Sequence, residues 1–470
     1  MGEMPDEHIA KYYIPFVLEL ATKDWFTSRV TASALFHFVY PRIPGTSRRN
    51  FRSAFLRLCV DESPVVRRHA LMHLGNMSKQ VEQAEVLNDF MSVFTSLAND
   101  QQDSVRVQAI PNCVQLAEIL PDENKINQIL PTILGIATDK SWRVRWALAN
   151  QLPDICKALG QEITNNNISV AFEALLNDTE TEVRSAAASN ISKICGYLHK
   201  DTIISKVIPA TQRLVTDSSE FARASLASVI NDIASMLGRE DTVTHLLPML
   251  LLLLRDETSD VRLSIVSGSG KINAVIGVEL LSQSLLPAII ELSEDPKWRV
   301  RLSIIEHMST LAEQLGKEFF SEKLNALCMA WLGDNVYTVR RAAAENLSKL
   351  VQLFGDDWCD EHIIPHIDRL HTHANYLHRM TALYAMQALT KHSSLEKVQM
   401  NVLPVVLKMA EDTVPNIRLT VPKTLLAIYN INNGDEIKNK INETLGKLIT
   451  DTDRDVRYFT KKAQDELKSQ

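Results

Sequence analysis

The chain has 470 residues, past the roughly 250–300 at which one hydrophobic core stops growing, so it is multi-domain or elongated. With 45% hydrophobic and 23% charged residues it is neither disordered nor collagen-like, and 15 Gly with 17 Pro are too few for a turn-rich sandwich, barrel or nucleotide-binding α/β fold. Fifty Lys and Arg against 57 Asp and Glu give a net charge of −7, without the basic surplus of a general nucleic-acid binder.

The N-terminal stretch has acidic residues and no apolar run behind a basic start, so it reads as no signal peptide. The first predicted helix carries Ile9, Tyr12, Tyr13, Ile14, Phe16, Val17, Leu18 and Leu20 around nearly its whole circumference. A helix apolar all round expects neighbours on both sides. Further on, Ile129, Leu130, Ile133, Leu134 and Ala137 form one helical face. Val144, Leu148, Leu152 and Ile155 form a second after a short acidic turn, which makes an αα-hairpin. The longest apolar run, Leu246–Leu254, is broken by Pro248 and too short to cross a bilayer. The segment His362–His373 is rich in histidine, with Cys359 nearby, and reads as a solvated turn rather than a zinc site. The last predicted helix turns Val456, Phe459, Ala463 and Leu467 inward and leaves Arg454, Lys461, Lys462, Asp465 and Glu466 to water. Cys59, Cys113, Cys156, Cys195, Cys328 and Cys359 are scattered without CxxC pairing, as reduced core thiols of a cytoplasmic or nuclear protein would be.

One string recurs along the whole chain. An Asp stands six residues before an Arg in DESPVVR ending at Arg67, DQQDSVR at Arg106, DKSWRVR at Arg145 and DTETEVR at Arg184. It continues to Arg223, Arg262, Arg301, Arg340, Arg379, Arg418 and Arg457, always at 39-residue intervals, although HANYLHR ending at Arg379 has His373 in place of the Asp. A further copy ends at Arg29, one residue short of a full period before Arg67, and the twelve copies together fill almost the whole chain. A Pro lies 14 residues before the Arg at Pro15, Pro131, Pro209, Pro248, Pro287, Pro365 and Pro404, suited to the first turn of a helix or a fixed kink. This is the HEAT-repeat pattern. It predicts an all-α fold, a right-handed α-α superhelix or HEAT-repeat solenoid of twelve repeats of about 39 residues, in which stacking buries what no hairpin buries alone.

The columns of the repeat separate core from surface. The residue before the Arg is Val at 66, 105, 144, 183, 261, 300, 339 and 456 and is expected in the core. The Asp is expected to cap the second helix and to accept hydrogen bonds from the Arg of a neighbouring repeat, forming a ladder. Three residues before the Arg, at the exposed turn, Trp298, Tyr337 and Tyr376 fall in consecutive repeats with Arg299 alongside, a composition typical of interface hot spots. Trp142 with Arg143 forms an isolated second candidate. The alternative is that these rings fold back onto their own helices. No nucleophile–base pairing, phosphate loop or metal motif stands out, and no non-repeated domain remains to house an active site, so no enzyme, cofactor or metal is expected.

The strings KDWFTSR, DKSWRVR, LLSQSLLPAIIELSEDPKWRVRLSIIEHM, EKLNALCMAWLGD and NYLHRMTALY resemble the scaffolding A subunits of protein phosphatase 2A, from about residue 20 onward. The resemblance implies a non-enzymatic scaffold of a Ser/Thr phosphatase holoenzyme, a heterotrimer of cytoplasmic and also nuclear location, with no nucleic-acid or membrane partner. Residues 279–470, repeats 8–12, would hold the catalytic subunit through Trp298, Arg299, Val336, Tyr337, Tyr376, His378, Val414 and Asn416. Residues 1–278, repeats 1–7, would hold regulatory B-type subunits through Pro64, Arg67, Arg68, Asp103, Trp142 and Arg143. Two departures stand out. That family is built of fifteen repeats, so three are expected to be missing at the N-terminus, and the His362–His373 stretch differs from the family. A HEAT-type transport receptor or cargo adaptor is the alternative, disfavoured because Trp occupies the turn column only twice.

Overall fold

The computed structural model describes residues 5–431 and 434–468, with the backbone alone for 278–284. The described residues form helices joined by short turns, with no strand among them. They group into two compact units, Met1–Leu253 and Leu254–Gln470, and each is a stack of HEAT-type helical hairpins.

In the first unit the second helices of successive hairpins, Phe26–Val39, Pro64–Ser78, Asp103–Ile119, Trp142–Leu159, Thr181–Ser189 and Glu220–Leu237, pack each against the next. In the other unit Ser259–Ser267, Trp298–Leu315, Tyr337–Phe354, Tyr376–Leu389, Val421–Ile431 and Arg454–Lys468 do the same. The Val column explains the register. Val66, Val105, Val144, Val183, Val261, Val339 and Val456 are fully buried and Val300 nearly so, as the pattern predicts. In each of these eight repeats one branched side chain, buried against its neighbours, contributes roughly 1.5–3 kcal/mol relative to exposure.

The first helix of most hairpins is not uniformly α-helical. Ile9–Tyr13, Val86–Phe90, Lys125–Ile129, Thr164–Ile168, Ile203–Val207, Thr242–Leu246 and Val398–Val402 are single π turns, each closed by an i→i+5 bond such as Leu130 N–H to the Lys125 carbonyl. The Pro column follows directly, with Pro131, Pro209 and Pro404 in the first turn of the α segment beyond. Ser92 and Val170 hold the same place in repeats that also have the π turn. The wide turn therefore belongs to the repeat, and Pro occupies a place where helical bonding is already interrupted.

Between hairpins a glycine column sets the exit angle. Gly160, Gly238, Gly277, Gly316 and Gly355 have φ of 80–91°, combined in Gly238 with ψ of 176°. This region is essentially closed to residues with a Cβ. Each stands 15 residues after the ladder arginine of its repeat.

Candidate functional site

The hairpin turns are assembled by the Asp–Arg ladder. Arg106 donates from Nε to Asp139 Oδ2 at 2.6 Å and from Nη2 to Asp139 Oδ1 at 2.7 Å. Its Nη1 reaches back to the carbonyl of Asp100, in its own repeat, at 2.8 Å. The bidentate pair recurs at Arg29–Asp61, Arg67–Asp100, Arg145–Asp178, Arg184–Asp217, Arg301–Asp334, Arg379–Asp412 and Arg418–Asp451. Arg262 reaches Asp295 through Nη2 alone. Each arginine thus binds its own turn and the carboxylate of the next.

The aspartate does not cap the helix as expected. Asp139 Oδ1 accepts from Ser141 N–H, two residues on, at 2.7 Å, and Ser141 rather than Asp139 is the residue that enters the helix. The side chain closes an Asx turn, because Asp139 stands two residues before the N-cap position. Burial pulls the Asp139 carboxyl upward, but Arg106 and the Ser141 N–H outweigh it and hold the group below its ordinary value.

These turns present the sequence-predicted ridge. Trp298, Tyr337 and Tyr376 each begin a second helix, on neighbours packed in sequence. Trp298 is half-buried under Arg299, whose guanidinium lies 4.5 Å from its ring. Tyr337 is 46% exposed and Tyr376 36%. Tyr337 meets the edge of Tyr384, on the next hairpin, at 5.9 Å. Asn375 caps the Tyr376 helix by accepting from Leu377 N–H at 3.0 Å. Val414 is half-buried and Asn416 exposed on the next turn.

In the first unit Trp142 is also half-buried, with Arg143 5.0 Å from its ring. Pro64 is exposed, and Asp103 accepts from Ser141 Oγ at 3.0 Å. Arg67 is committed to the ladder with Nε and Nη2 on Asp100 and Nη1 on Asp61. Arg68 is half-buried, with its Nε enclosed and unpartnered.

Sequence reasoning missed a groove beside Tyr337. It has a volume of about 360 Å³ and is lined by Tyr384, Arg341, Glu345, Lys391 and Lys423. Three cations against one carboxylate make it electropositive. Arg341 follows Tyr337 by four residues, one helical turn, which was the available signal. It also missed Trp25, which is 68% exposed beside Phe26. The histidines of 362–373 assemble no ligand set. His362 packs on Trp358 at 5.3 Å, and no group of three metal-ligating side chains occurs among the described residues.

A family model for the PPP2R1A-like HEAT repeat matches residues 161–238, and the HEAT-repeat model matches 285–315 and 324–354. The protein phosphatase 2A scaffold subunit of Dictyostelium discoideum is 44% identical over 87 residues, 18% of this chain and 15% of that protein. The Drosophila melanogaster serine/threonine-protein phosphatase PP2A 65 kDa regulatory subunit is 44% identical over 80 residues, 16% of this chain and 14% of that one. The chain's hairpins repeat as HEAT repeats do, and over these stretches it is similar to phosphatase 2A subunits. Its matched stretches span about one seventh of the curated relatives' lengths. Among solved structures, the karyopherin Kap121p bound to the C-terminus of the phosphatase Cdc14p covers 98% of this HEAT-repeat chain, with a TM-score of 0.63 at 13% identity, over 50% of its own length. Kap95p in complex with RanGDP gives 0.63 at 13% identity, covering 94% of this chain and 60% of its own. At that identity the likeness is one of fold.

Proposed function

We propose that this chain is a non-enzymatic scaffold of a protein phosphatase 2A-type assembly. In this reading residues 279–470 hold the catalytic subunit on the turns bearing Trp298, Tyr337, Tyr376 and Asn416. Residues 1–278 hold a regulatory subunit on the turns bearing Pro64, Arg68 and Trp142. The assembly is a heterotrimer working in the cytoplasm and the nucleus. One observation carries the reading. Aromatic side chains begin three consecutive second helices, Tyr337 and Tyr376 stand exposed, and Trp298 is held under Arg299. Rigid aromatic anchors with arginine are what interfaces use as hot spots, because they bury large area at low entropic cost. The ladder supports it by fixing the turns that display them.

The transport-receptor alternative gains only a fold likeness from the karyopherin structures. Binding of the full-length chain to a phosphatase catalytic subunit on a biosensor decides between them. Trp298→Ala is expected to weaken binding by about 2 kcal/mol, roughly 30-fold, with unchanged circular dichroism. Undiminished affinity in that variant removes Trp298 from the interface, and no binding by the wild-type chain removes the scaffold reading.

A further inference from the structure

The ladder is interrupted at one described junction. Arg340 is 5% exposed, and its Nη1 makes the usual bonds to the carbonyls of Asp334 at 2.7 Å and Asn335 at 3.2 Å. In the ladder the carboxylate comes from the residue 33 positions after the arginine, as Asp139 does for Arg106. For Arg340 that place is taken by His373. Its ring takes over the Asx-turn role, with Nδ1 accepting from Asn375 N–H at 3.0 Å. A neutral imidazole whose Nδ1 is an acceptor carries its proton on Nε2 and has no lone pair left. His373 therefore cannot accept from the Nε and Nη2 edge of Arg340, and among the described residues no hydrogen bond or ion pair engages that edge.

A second substitution falls in the same repeat. His378 occupies the buried Val column, its ring 4.3 Å from that of His373 and its Nδ1 enclosed without a partner. The ring lies against Gly333 on the preceding turn, where a Cβ would sit in ordinary contact with it, 3.5 Å from His378 Cε1. A guanidinium on a nearly buried residue with no acceptor on its Nε and Nη2 edge, an enclosed imidazole nitrogen and an exposed imidazole thus converge where the fold otherwise places a carboxylate. The enclosed His378 nitrogen is costly to leave unpartnered, while the Arg340 edge is left to whatever acceptor reaches it.

We propose that the Arg340–His373–His378 junction is an oxyanion site, filled by a carboxylate side chain of a docked protein partner. A planar carboxylate fits the Arg fork, as the eight bidentate junctions show, and His373, whose ring is held by the Asn375 N–H, is exposed. Tyr376, two residues before His378, is exposed on the same turn, so an acidic residue beside a ridge-docked segment reaches the fork. The partner half of this inference rests on the scaffold reading, while the oxyanion site does not.

The test uses the full chain labelled at arginine with ¹⁵N, with the Arg340 Nε–H resonance assigned from Arg340→Lys. Titration with acetate at fixed ionic strength is expected to shift that resonance to saturation in the wild type. In His373→Asp, which supplies its own carboxylate, the resonance is expected at the shifted position and insensitive. No response in the wild type, or an equal response in the variant, overturns the site. A response to inorganic phosphate without one to acetate replaces the partner carboxylate with a free anion and overturns the proposal. His373→Asp should melt at or above the wild-type temperature, and a lower melting point contradicts the unfilled fork. Against the catalytic subunit, His373→Asp is expected to bind about tenfold more weakly while His373→Asn, uncharged but able to close the turn, keeps wild-type affinity. Equal affinity of His373→Asp and wild type removes the partner. If the wild-type chain does not bind the catalytic subunit, the scaffold reading fails and the acetate arm still decides the oxyanion site.

Discussion

Arg106 and Asp139 lie 33 residues apart in sequence and are joined by two hydrogen bonds of 2.6 and 2.7 Å, with side chains 5% and 10% exposed. The pair locks two successive hairpin turns, and its near burial sets it apart from surface ion pairs, which contribute little. Arg106→Ala leaves a buried carboxylate with only the Ser141 N–H. The expected cost is about 3 kcal/mol, read as a fall in the urea midpoint of the cooperative unit. A loss below about 1 kcal/mol, the range of an exposed pair, would show the ladder to be ornamental. Asp139→Asn, which keeps the turn acceptor but loses the charge, should fall between the two.

The ladder also predicts acid lability. The carboxyls of Asp100, Asp139, Asp178, Asp217, Asp412 and Asp451 are all held below their ordinary value. For Asp451 the Arg418 hydrogen bond is the leading cause, whereas for the others burial opposes the shift and is outweighed. A folded pKa below the unfolded one means that the unfolded chain binds more protons, so this stability is complete above the unfolded pKa, about 3.9, and lost as pH falls through the folded values. The urea midpoint should therefore show no ladder contribution to its slope above about pH 5 and fall steeply below about pH 4. Arg418→Gln should remove the part of that fall due to Asp451.

Two kinds of glycine should respond oppositely. Gly238→Ala forces a Cβ into φ of 80° and is expected to destabilise by about 1–3 kcal/mol, although no atom lies in the way. Gly135 is in the helix Leu130–Ala137 with nothing within 4 Å of a Cβ. Gly135→Ala should stabilise by up to about 1 kcal/mol. Thermal unfolding of the two variants reads both signs.

All six cysteines are buried and free. Burial is the leading cause that pushes the Cys156 thiol up to about 12, so thiolate is scarce at neutral pH. Native protein is expected to leave a thiol-reactive dye unconsumed, with all six thiols reacting only as urea unfolds the chain. Rapid labelling of any of them in the native state would contradict the packing.

The 39-residue period, the Val column and the hairpin pattern were legible in the sequence, because each repeat sees equivalent neighbours and the same contacts must recur in register. The ladder was legible as a pairing of Asp with Arg, and the ridge as aromatic residues in a turn column. The direction of the ladder was not. Only the packed helices show that a paired arginine such as Arg106 reaches forward to the aspartate of the following turn while its Nη1 holds its own turn, and that Asp closes an Asx turn instead of capping. The glycine column escaped notice because His199 fills one of its places with φ of −74°, so its pattern is intermittent while its backbone demand is conformational. The groove beside Tyr337 arises from residues of three hairpins meeting across helix faces, which no single-repeat pattern contains. The histidine at 373 was plain in the sequence, but its consequence was not. That Arg340, one repeat earlier, is left buried with an unfilled fork follows from the stacking geometry, because burial and hydrogen-bond partnership are properties of neighbours in space.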